Sequence, residues 1–260
     1  MRFTKMQGLG NDFLLVCDQV PENAAPLCAA LCDRHFGVGA DGVIFLSPSP
    51  LADCRMRIFN ADGSEAKMCG NGIRCVGKYL YDKGLVRKEQ LTIETLSGVR
   101  ELALHVKDDR VKTVTVNMGR AELLSAELPL PAGLGRGMEV SVGNPHAVSF
   151  VELAEDIPLS LWGPAVEQSV PGGINAEFVQ ILSATRLRMR VWERGCGVTM
   201  ACGTGACASA FAAVQKGYCP ANRPIELMLD GGSLFITVDA TGSVQMEGPA
   251  ESVFEGEVAL

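Results

Sequence analysis

The sequence has few of the features that mark membrane, secreted or nucleic-acid-binding proteins. It contains no run of about 18 consecutive apolar residues, so it predicts no membrane-spanning helix. The N-terminal segment MRFTKMQGLGNDF lacks an apolar core and a small-residue cleavage site, and it is therefore not typical of a secretory signal. No basic cluster accompanies the net charge of −7, which argues against a nucleic-acid partner. We therefore predict a cytoplasmic globular protein.

The patterns that hold structural zinc are also missing. The three histidines are scattered, and the ten cysteines include no Cys-x-x-Cys pair. Structural zinc sites need closely spaced ligand pairs, so we predict no metal and cysteines that stay reduced. Seven of them are expected to be small buried apolar residues: Cys17, Cys28, Cys32, Cys54, Cys75, Cys207 and Cys219.

What the sequence does contain is an internal repeat. Cys69, which is followed by Gly-Asn-Gly, is matched by Cys202, which is followed by Gly-Thr-Gly, 133 positions later. Landmarks that share one offset without a gap indicate a duplicated chain. The same offset relates three further pairs: Asn11 and Asn144, Gly42 and Asn175, and Asn60 and Glu193.

Each half of the chain predicts strands followed by one helix, and thus a mixed α/β fold. The helices are expected from about Gly70 to Lys83 and from about Gly203 to Lys216, each with a glycine after its last turn. The second is apolar on nearly every side, which predicts burial. The segment Leu128–Gly137, rich in Pro and Gly, predicts a loop. Runs of branched and aromatic residues predict strands at Leu14–Val16, Val43–Leu46, Met56–Phe59, Leu91–Glu94 and Val111–Val116.

Cys69 and Cys202 each precede a glycine-rich helix start. The unpaired N–H groups and the dipole of such a start favour a thiolate and can bind a carboxylate. We therefore expect both thiols to have a pKa below the usual value of about 8.5. If the two halves pack face to face, one thiol could remove a proton from a carbon while the other delivers one to its opposite side. This predicts stereoinversion at an amino-acid α-carbon without a metal or pyridoxal phosphate.

Polar residues at turns and strand ends suit a zwitterionic ligand with a second carboxylate. Asparagine is also common in turns for local reasons, so the set as a whole carries more information than any member. His146 is either a structural residue or a hydrogen-bond partner of a thiol. The set consists of Asn11, Asn60, Asn144, Asn175, Glu193 and Arg194.

In their order along the chain, these motifs resemble the diaminopimelate epimerase family. The resemblance implies two pseudo-symmetric lobes, each a curled mixed β-sheet around a central helix, with the active site in the cleft between them. The lobes would be residues 1–116, completed by a C-terminal strand within residues 249–260, and residues 117–248. The motifs are Gly8–Phe13, Asn60–Ser64, Met68–Gly72, Gly143–His146, Asn175, Trp192–Gly195 and Ala201–Gly205.

The same resemblance implies an enzyme that interconverts L,L- and meso-2,6-diaminopimelate in lysine and peptidoglycan biosynthesis, without a cofactor and commonly as a homodimer. Cys69 and Cys202 would be the acid/base pair, with His146 and Glu193 adjusting their protonation. The chain departs from the common pattern at Gln7, Gly42, Lys67 and Val198, which bear on substrate choice. The substrate would be held by Asn11, Asn60, Gly70, Asn71, Asn144, Asn175, Glu193, Arg194, Gly203 and Thr204.

Alternatives remain open at this point. One is a racemase of the same superfamily that acts on another amino acid, although proline racemases carry His in place of Asn71 and phenazine-type isomerases lack the cysteine pair. Another is a non-catalytic thiol protein, redox-sensing or metal-binding, which would exchange no α-proton. A related hypothesis is that oxidation joins Cys69 to Cys202. The sequence does not decide which thiol is the base in which direction.

Overall fold

The computed structural model describes residues 1–131 and 133–259. Over this part of the chain the protein is a mixed α/β structure, which confirms the predicted fold class. None of the described helices has the length and apolar character that a membrane crossing requires. The helices are α1 (Ala24–Cys32), α2 (Gly70–Asp82), α3 (Leu159–Glu167) and α4 (Gly203–Gln215).

The strands follow one another in short segments along the whole described chain. They are β1 (Arg2–Gly8), β2 (Asn11–Val16), β3 (Gly42–Ser47), β4 (Cys54–Asn60), β5 (Glu65–Ala66), β6 (Gln90–Thr95), β7 (Gly98–Lys107), β8 (Arg110–Arg120), β9 (Glu122–Pro129), β10 (Arg136–Ser141), β11 (Pro145–Phe150), β12 (Asn175–Ser183), β13 (Arg186–Glu193), β14 (Gly197–Val198), β15 (Ile225–Leu229), β16 (Gly232–Val238), β17 (Ser243–Pro249) and β18 (Glu251–Glu257).

The chain divides into two compact units. The first consists of Met1–Val116 together with the C-terminal segment from Gly248 onwards, and the second is Asn117–Glu247. In the first unit β18 pairs with β1, and the order continues through β2, β3, β4, β6, β7 and β8. The β2–β3 and β4–β6 pairs are parallel, and the others are antiparallel.

The second unit repeats this pattern. Its order is β9, β10, β11, β12, β13, β15, β16 and β17, with the parallel pairs at β11–β12 and β13–β15. A two-residue strand pairs with the fifth strand of this order in both units: β5 with β4, and β14 with β13. Equivalent strands therefore follow the offset of 133 positions that the sequence repeat predicts.

Each unit packs the predicted helix, α2 or α4, against its sheet, together with one helix that the sequence did not predict: α1 contacts β3 and β4, and α3 contacts β12, β13 and β14. α2 contacts β1, β2, β7 and β18, and α4 contacts β10 to β13, β15 and β16. Both helices end just before a glycine with positive φ, Gly84 at 71° and Gly217 at 74°, a conformation that a side chain disfavours. The burial predicted for α4 is confirmed, since nearly every residue from Gly203 to Ala213 is buried.

Two expectations from the sequence are wrong in part. The ends of the predicted loop Leu128–Gly137 belong to β9 and β10, where Leu128 pairs with Gly137, while Ala132 lies outside the described residues. Pro129 is tolerated there because it is the last residue of its strand, where a missing ladder donor costs little. Cys17 is exposed rather than buried, because it follows the end of β2, and its Sγ donates to the Tyr79 hydroxyl at 3.4 Å. The other six predicted buried cysteines are buried.

Candidate active site

In the first unit, Cys69 is the residue that caps the N-terminus of α2. It has an extended backbone, with φ −140° and ψ 121°, and its Sγ accepts a hydrogen bond from the Gly72 N–H at 3.5 Å. A Cβ on Gly72 would lie 2.9 Å from Ile44 Cδ1, so glycine allows the helix to start close against β3. The N–H groups of a first helical turn have no partner within the helix and carry partial positive charge. The first turn of α2, directly beside the Cys69 thiol, is therefore suited to binding an anion.

Asn11 places an amide oxygen beside this thiol. Its Oδ1 lies 3.7 Å from the Cys69 Sγ and accepts a hydrogen bond from the Asn71 Nδ2 at 3.2 Å. Its own Nδ2 donates to the Asp41 carboxylate at 2.8 Å. Because one side of the Asn11 amide donates to a carboxylate, its oxygen is fixed towards Cys69 and Asn71. The structure thus brings three predicted site residues into direct contact.

A network of ion pairs fixes the residues next to Asn11. Asp12, the next residue, forms ion pairs with Lys5 at 2.8 Å and with Arg34 at 2.7 Å, and Arg34 also binds Asp41 at 2.8 Å. Burial alone would raise the pKa of the Asp12 carboxyl, but hydrogen bonds from Arg34 and Lys5 outweigh it and lower the pKa to about 2. Asp12 is therefore ionised at neutral pH and holds the β1–β2 turn in place.

Arg74 supports Asn71 from inside the first unit. Its side chain is fully buried and donates to the Asn71 Oδ1 at 3.0 Å, the Gly70 carbonyl at 3.1 Å and the Pro249 carbonyl at 3.1 Å. A planar guanidinium can make such a divergent set of bonds, which a lysine cannot. The first turn of α2 is thereby tied to the segment that leads into β18.

Asn60 has a different environment from the other predicted residues of this unit. It is the exposed last residue of β4, and its Nδ2 donates to the Ser64 Oγ at 3.0 Å. Its role in holding a ligand stays a prediction.

In the second unit, Cys202 caps α4 in the way that Cys69 caps α2. Its Sγ accepts a hydrogen bond from the Gly205 N–H at 3.4 Å and lies 3.6 Å from the Thr204 Oγ1. The expected low pKa is not found here. Burial, followed by the negative charges of Glu193 and Glu177, raises the pKa of the Cys202 thiol well above its usual value, against the hydrogen bonds from Thr204 and Gly205. The loss of solvation therefore outweighs the helix start, and Cys202 carries its proton at neutral pH.

His146 lies beside this thiol in a line of hydrogen bonds. Its Nδ1 is 2.7 Å from the Glu177 Oε1, and its Nε2 is 3.1 Å from the Asn144 Oδ1. The Nδ2 of Asn144 in turn donates to the Thr204 Oγ1 at 3.4 Å. His146, Asn144 and Thr204 were all predicted as site residues, and the structure links them to one another and to Cys202.

In the described part of the chain, three side chains that could ligate a metal lie together beside the start of α4. Ligand atoms of His146, Glu177 and Cys202 all lie within 4.8 Å of one another, and all three residues are buried. The separation of 2.7 Å between the imidazole and the carboxylate is that of a hydrogen bond. A shared proton therefore accounts for the closeness of these two groups.

Asn175, Glu193 and Arg194 lie at one end of β12 and β13. Asn175 donates from Nδ2 to the Pro145 carbonyl at 2.9 Å and accepts from the Arg194 N–H at 3.0 Å. The exposed Arg194 guanidinium donates to the Gly172 carbonyl at 3.1 Å. Glu193 accepts from the Thr199 hydroxyl at 2.5 Å, and burial raises the pKa of its carboxyl. The arrangement leaves Arg194 accessible for a carboxylate.

Sequence reasoning missed Glu177, Arg74 and Asp41. Glu177 is a single carboxylate within the strand Asn175–Ser183, which is otherwise buried and apolar in its first half. Arg74 likewise lies in a stretch of α2 whose neighbours are buried. Charged residues are rarely buried without a partner, so a lone charge in an apolar stretch is the signal that could have identified both.

Comparison with known families agrees with the geometry. The sequence profile described as diaminopimelate epimerase matches residues 3–124 and 138–253. A diaminopimelate epimerase of Pelotomaculum thermopropionicum is 49% identical, over an alignment that covers 99% of this chain and 98% of the relative. One of Acetivibrio thermocellus is 46% identical, with 100% and 99% covered.

Solved structures share the fold at much lower identity. A PhzF-family phenazine biosynthesis protein of Bacillus anthracis superposes with a TM-score of 0.79 at 17% identity, covering 100% of this chain and 99% of the other. A hydroxyproline epimerase of Agrobacterium vitis, with trans-4-hydroxy-L-proline bound, gives a TM-score of 0.75 at 16% identity, with 99% and 90% covered. At such identities the likeness concerns the fold alone.

Proposed function

The chain belongs to the diaminopimelate epimerase family, and from that premise we propose that it interconverts L,L- and meso-2,6-diaminopimelate with Cys69 and Cys202 as its two acid/base groups. The observation that supports this assignment is the equivalent position of the two thiols. Each caps a helix of thirteen residues and accepts the N–H of the third helical residue. The protein is an isomerase that acts on a small-molecule substrate.

The reaction requires a proton to leave one face of the α-carbon and another to arrive at the opposite face. One thiol must therefore be ionised while the other is protonated. Cys202, whose pKa is raised by burial and by nearby carboxylates, supplies the protonated partner in the free protein. Since the reaction is reversible, the two thiols exchange roles in the opposite direction.

The N-termini of α2 and α4 would stabilise the charge that develops during the proposed reaction. As the α-proton leaves, negative charge develops on the reacting carboxylate. The backbone N–H groups at Gly70 and Asn71, and those at Gly203 and Thr204, would stabilise that charge, as helix N-termini stabilise anions generally. This chemistry needs no metal and no pyridoxal phosphate.

The remaining predicted residues would bind the part of the substrate that does not react. The exposed guanidinium of Arg194 suits the distal carboxylate, while the amide of Asn60 and the carboxylate of Glu193 suit its polar groups. Asn11, Asn144 and Asn175 are held by hydrogen bonds to protein groups, so they would present fixed donors and acceptors. Such preorganisation distinguishes a substrate with two amino-acid ends from one with a single end.

Incubation of the purified protein with L,L-diaminopimelate, with no cofactor added, tests the function. We expect the meso isomer to accumulate until both directions balance, as followed by chiral chromatography. Proline and histidine serve as comparison substrates, and their racemisation in place of diaminopimelate would assign the chain to another racemase activity. The proposal also includes a homodimer in the cytoplasm, which light scattering and cell fractionation would test.

A further inference from the structure

The last residue of α3 ties that helix to the turn between β13 and β14. Glu167 accepts a hydrogen bond from the Trp192 indole N–H at 2.6 Å through one carboxylate oxygen, and one from the Gly195 backbone N–H at 3.1 Å through the other. Trp192 precedes Arg194 in the chain and Gly195 follows it. A single carboxylate therefore holds the chain on both sides of Arg194.

The indole of Trp192 packs against α3 at a position where only glycine leaves room for it. A Cβ on Gly163, one turn before Glu167, would lie only 2.4 Å from two ring atoms of Trp192. The ring also packs against the buried cluster of the second unit that contains Leu159 and Phe178. Because the ring has little room to move in such a packed environment, its N–H gives the Glu167 carboxylate a donor in a fixed position.

Arg194 itself is held at its backbone and at its side chain. Its backbone N–H donates to the Asn175 Oδ1 at 3.0 Å. Its Nη1 donates to the carbonyls of Gly172 and Gly173 at 3.1 and 3.3 Å. A Cβ on Gly173 would lie 2.9 Å from the Arg194 Cδ and 3.5 Å from the Glu167 Cγ, so both side chains pass the same glycine. Since a guanidinium has five N–H donors, this exposed side chain is positioned by the protein and still has donors for a carboxylate ligand.

The first unit repeats this part of the fold without these residues. The offset of 133 positions places Phe59 opposite Trp192 and Ala61 opposite Arg194. The helix α1 packs on β3 and β4 as α3 packs on β12 and β13, but α1 ends in a cysteine where α3 ends in Glu167. Phenylalanine has no N–H to donate, and alanine has no group that binds a carboxylate. Because the first unit folds in the same way without an anchored arginine, the set in the second unit indicates a role in binding rather than in folding.

The charge of Glu167 is also unfavourable for its own helix. The C-terminal end of a helix carries partial negative charge, so a carboxylate in the last turn is disfavoured there. Two donors from outside the helix, the Trp192 indole and the Gly195 N–H, compensate for this at Glu167. The benefit of the carboxylate therefore lies in the position of the turn that carries Arg194.

We propose that Glu167 is a positioning residue that fixes the place of the Arg194 guanidinium and so selects amino acids with a carboxylate at their far end. This inference rests on the proposed function, in which Arg194 binds the distal carboxylate. Glu167 acts through the turn, so its loss should weaken substrate binding and leave the proton transfers unchanged. An interaction that is equally strong in the ground state and the transition state affects KM and not kcat.

Glu167→Gln is the informative variant, because glutamine keeps the size of the side chain and offers one acceptor oxygen for two donors. We expect KM for diaminopimelate to rise about tenfold with kcat constant within about twofold, as for the loss of one hydrogen bond to a charged group. Glu226→Gln, on β15 with Arg186 and Ser233 as partners, is the matched control and should leave KM unchanged. Unchanged kinetics in Glu167→Gln, or a fall in kcat at constant KM, would contradict the proposal.

A double-mutant cycle shows whether Glu167 acts through Arg194. Arg194→Lys keeps the positive charge and removes the planar pair of N–H donors that binds a carboxylate, so it should also weaken the binding of diaminopimelate in isothermal titration calorimetry. In that background Glu167→Gln should have a much smaller effect than in the wild type, because the group that it positions is gone. A loss of the same size in both backgrounds would show that Glu167 acts independently of Arg194.

The contact itself can be tested without a substrate, because the chain contains two tryptophans, Trp162 and Trp192. In ¹⁵N-labelled protein each gives one indole N–H signal, and hydrogen exchange at Trp192 should be about tenfold faster in Glu167→Ala than in the wild type. Trp162, in the same unit, shows whether the variant is folded. Equal exchange at Trp192 in both proteins would overturn the anchoring. If the exchange changes as expected but the wild type does not bind diaminopimelate, the proposed substrate is wrong and the anchoring of the turn by Glu167 stands.

Discussion

Replacing Asp12 with Asn should lower the free energy of unfolding of the first unit by about 2 kcal/mol at neutral pH. The pKa of Asp12 falls from 3.8 to about 2 on folding, and each pKa unit corresponds to about 1.4 kcal/mol. Only 13% of the Asp12 side chain is exposed, so solvent screens its ion pairs weakly. Asparagine keeps the shape and removes the charge that Lys5 and Arg34 bind.

The effect should depend on pH in a defined direction. Because the pKa is lower in the folded state, the ionised carboxylate contributes fully above the unfolded value and loses its contribution as pH falls towards 2. The difference between the wild type and Asp12→Asn should thus shrink from about 2 kcal/mol at pH 7 to about 1 kcal/mol near pH 3. A constant difference would show that packing, and not charge, stabilises this turn.

Urea unfolding followed by far-ultraviolet circular dichroism is the suitable assay. Tryptophan fluorescence would miss the transition if the units unfold separately, since Trp162 and Trp192 both belong to the second unit. Asp109→Asn is the matched control, because its ion pair with Arg87 is 3.4 Å long and its side chain is 78% exposed. That variant should change stability by less than about 0.5 kcal/mol at any pH, and a larger effect would refute the reasoning from burial.

Three further outcomes follow from the same structure. Arg74→Lys should destabilise the first unit by about 2 kcal/mol in urea unfolding, because lysine cannot make the divergent hydrogen bonds of the buried guanidinium; an unchanged midpoint would contradict this. Gly205→Ala should lower kcat, since its Cβ would displace Glu177, and full activity would show that the carboxylate moves freely. Epimerase activity should follow a bell-shaped pH profile, because one thiol must be ionised and the other protonated; a flat profile through the thiol range would exclude the pair.

Two of the four described helices and the repeat could be predicted because their signals are local. A lysine in the last turn and a following glycine predict the C-terminal ends of α2 and α4, and the structure has Lys83 and Lys216 at the C-caps. The helices α1 and α3 were not predicted. The prediction of a loop at Leu128–Gly137 was wrong at its ends because the deciding signal there is not local. Proline and glycine mark strand termini as well as loops, and the pairing partner that decides between them is distant in sequence.

The chemistry of the candidate site could be predicted only where it depends on local backbone. The capping position of Cys202 follows from its glycine-rich sequence, but its raised pKa depends on burial by the whole second unit. The contact between His146 and Glu177 requires the parallel register of β11 and β12, which no local pattern specifies. For the same reason the sequence identified Asn11 but not Asp41, which orients it.

The central claim is that Cys69 and Cys202 are the two acid/base groups, and proton NMR of L,L-diaminopimelate in D2O tests it most directly. The wild type, Cys69→Ala and Cys202→Ala should be compared after circular dichroism has shown that all three are folded. We expect the wild type to introduce deuterium at the α-carbon and to form the meso isomer, while neither variant epimerises. Epimerisation at the wild-type rate by either variant would show that the two thiols are not the acid/base pair.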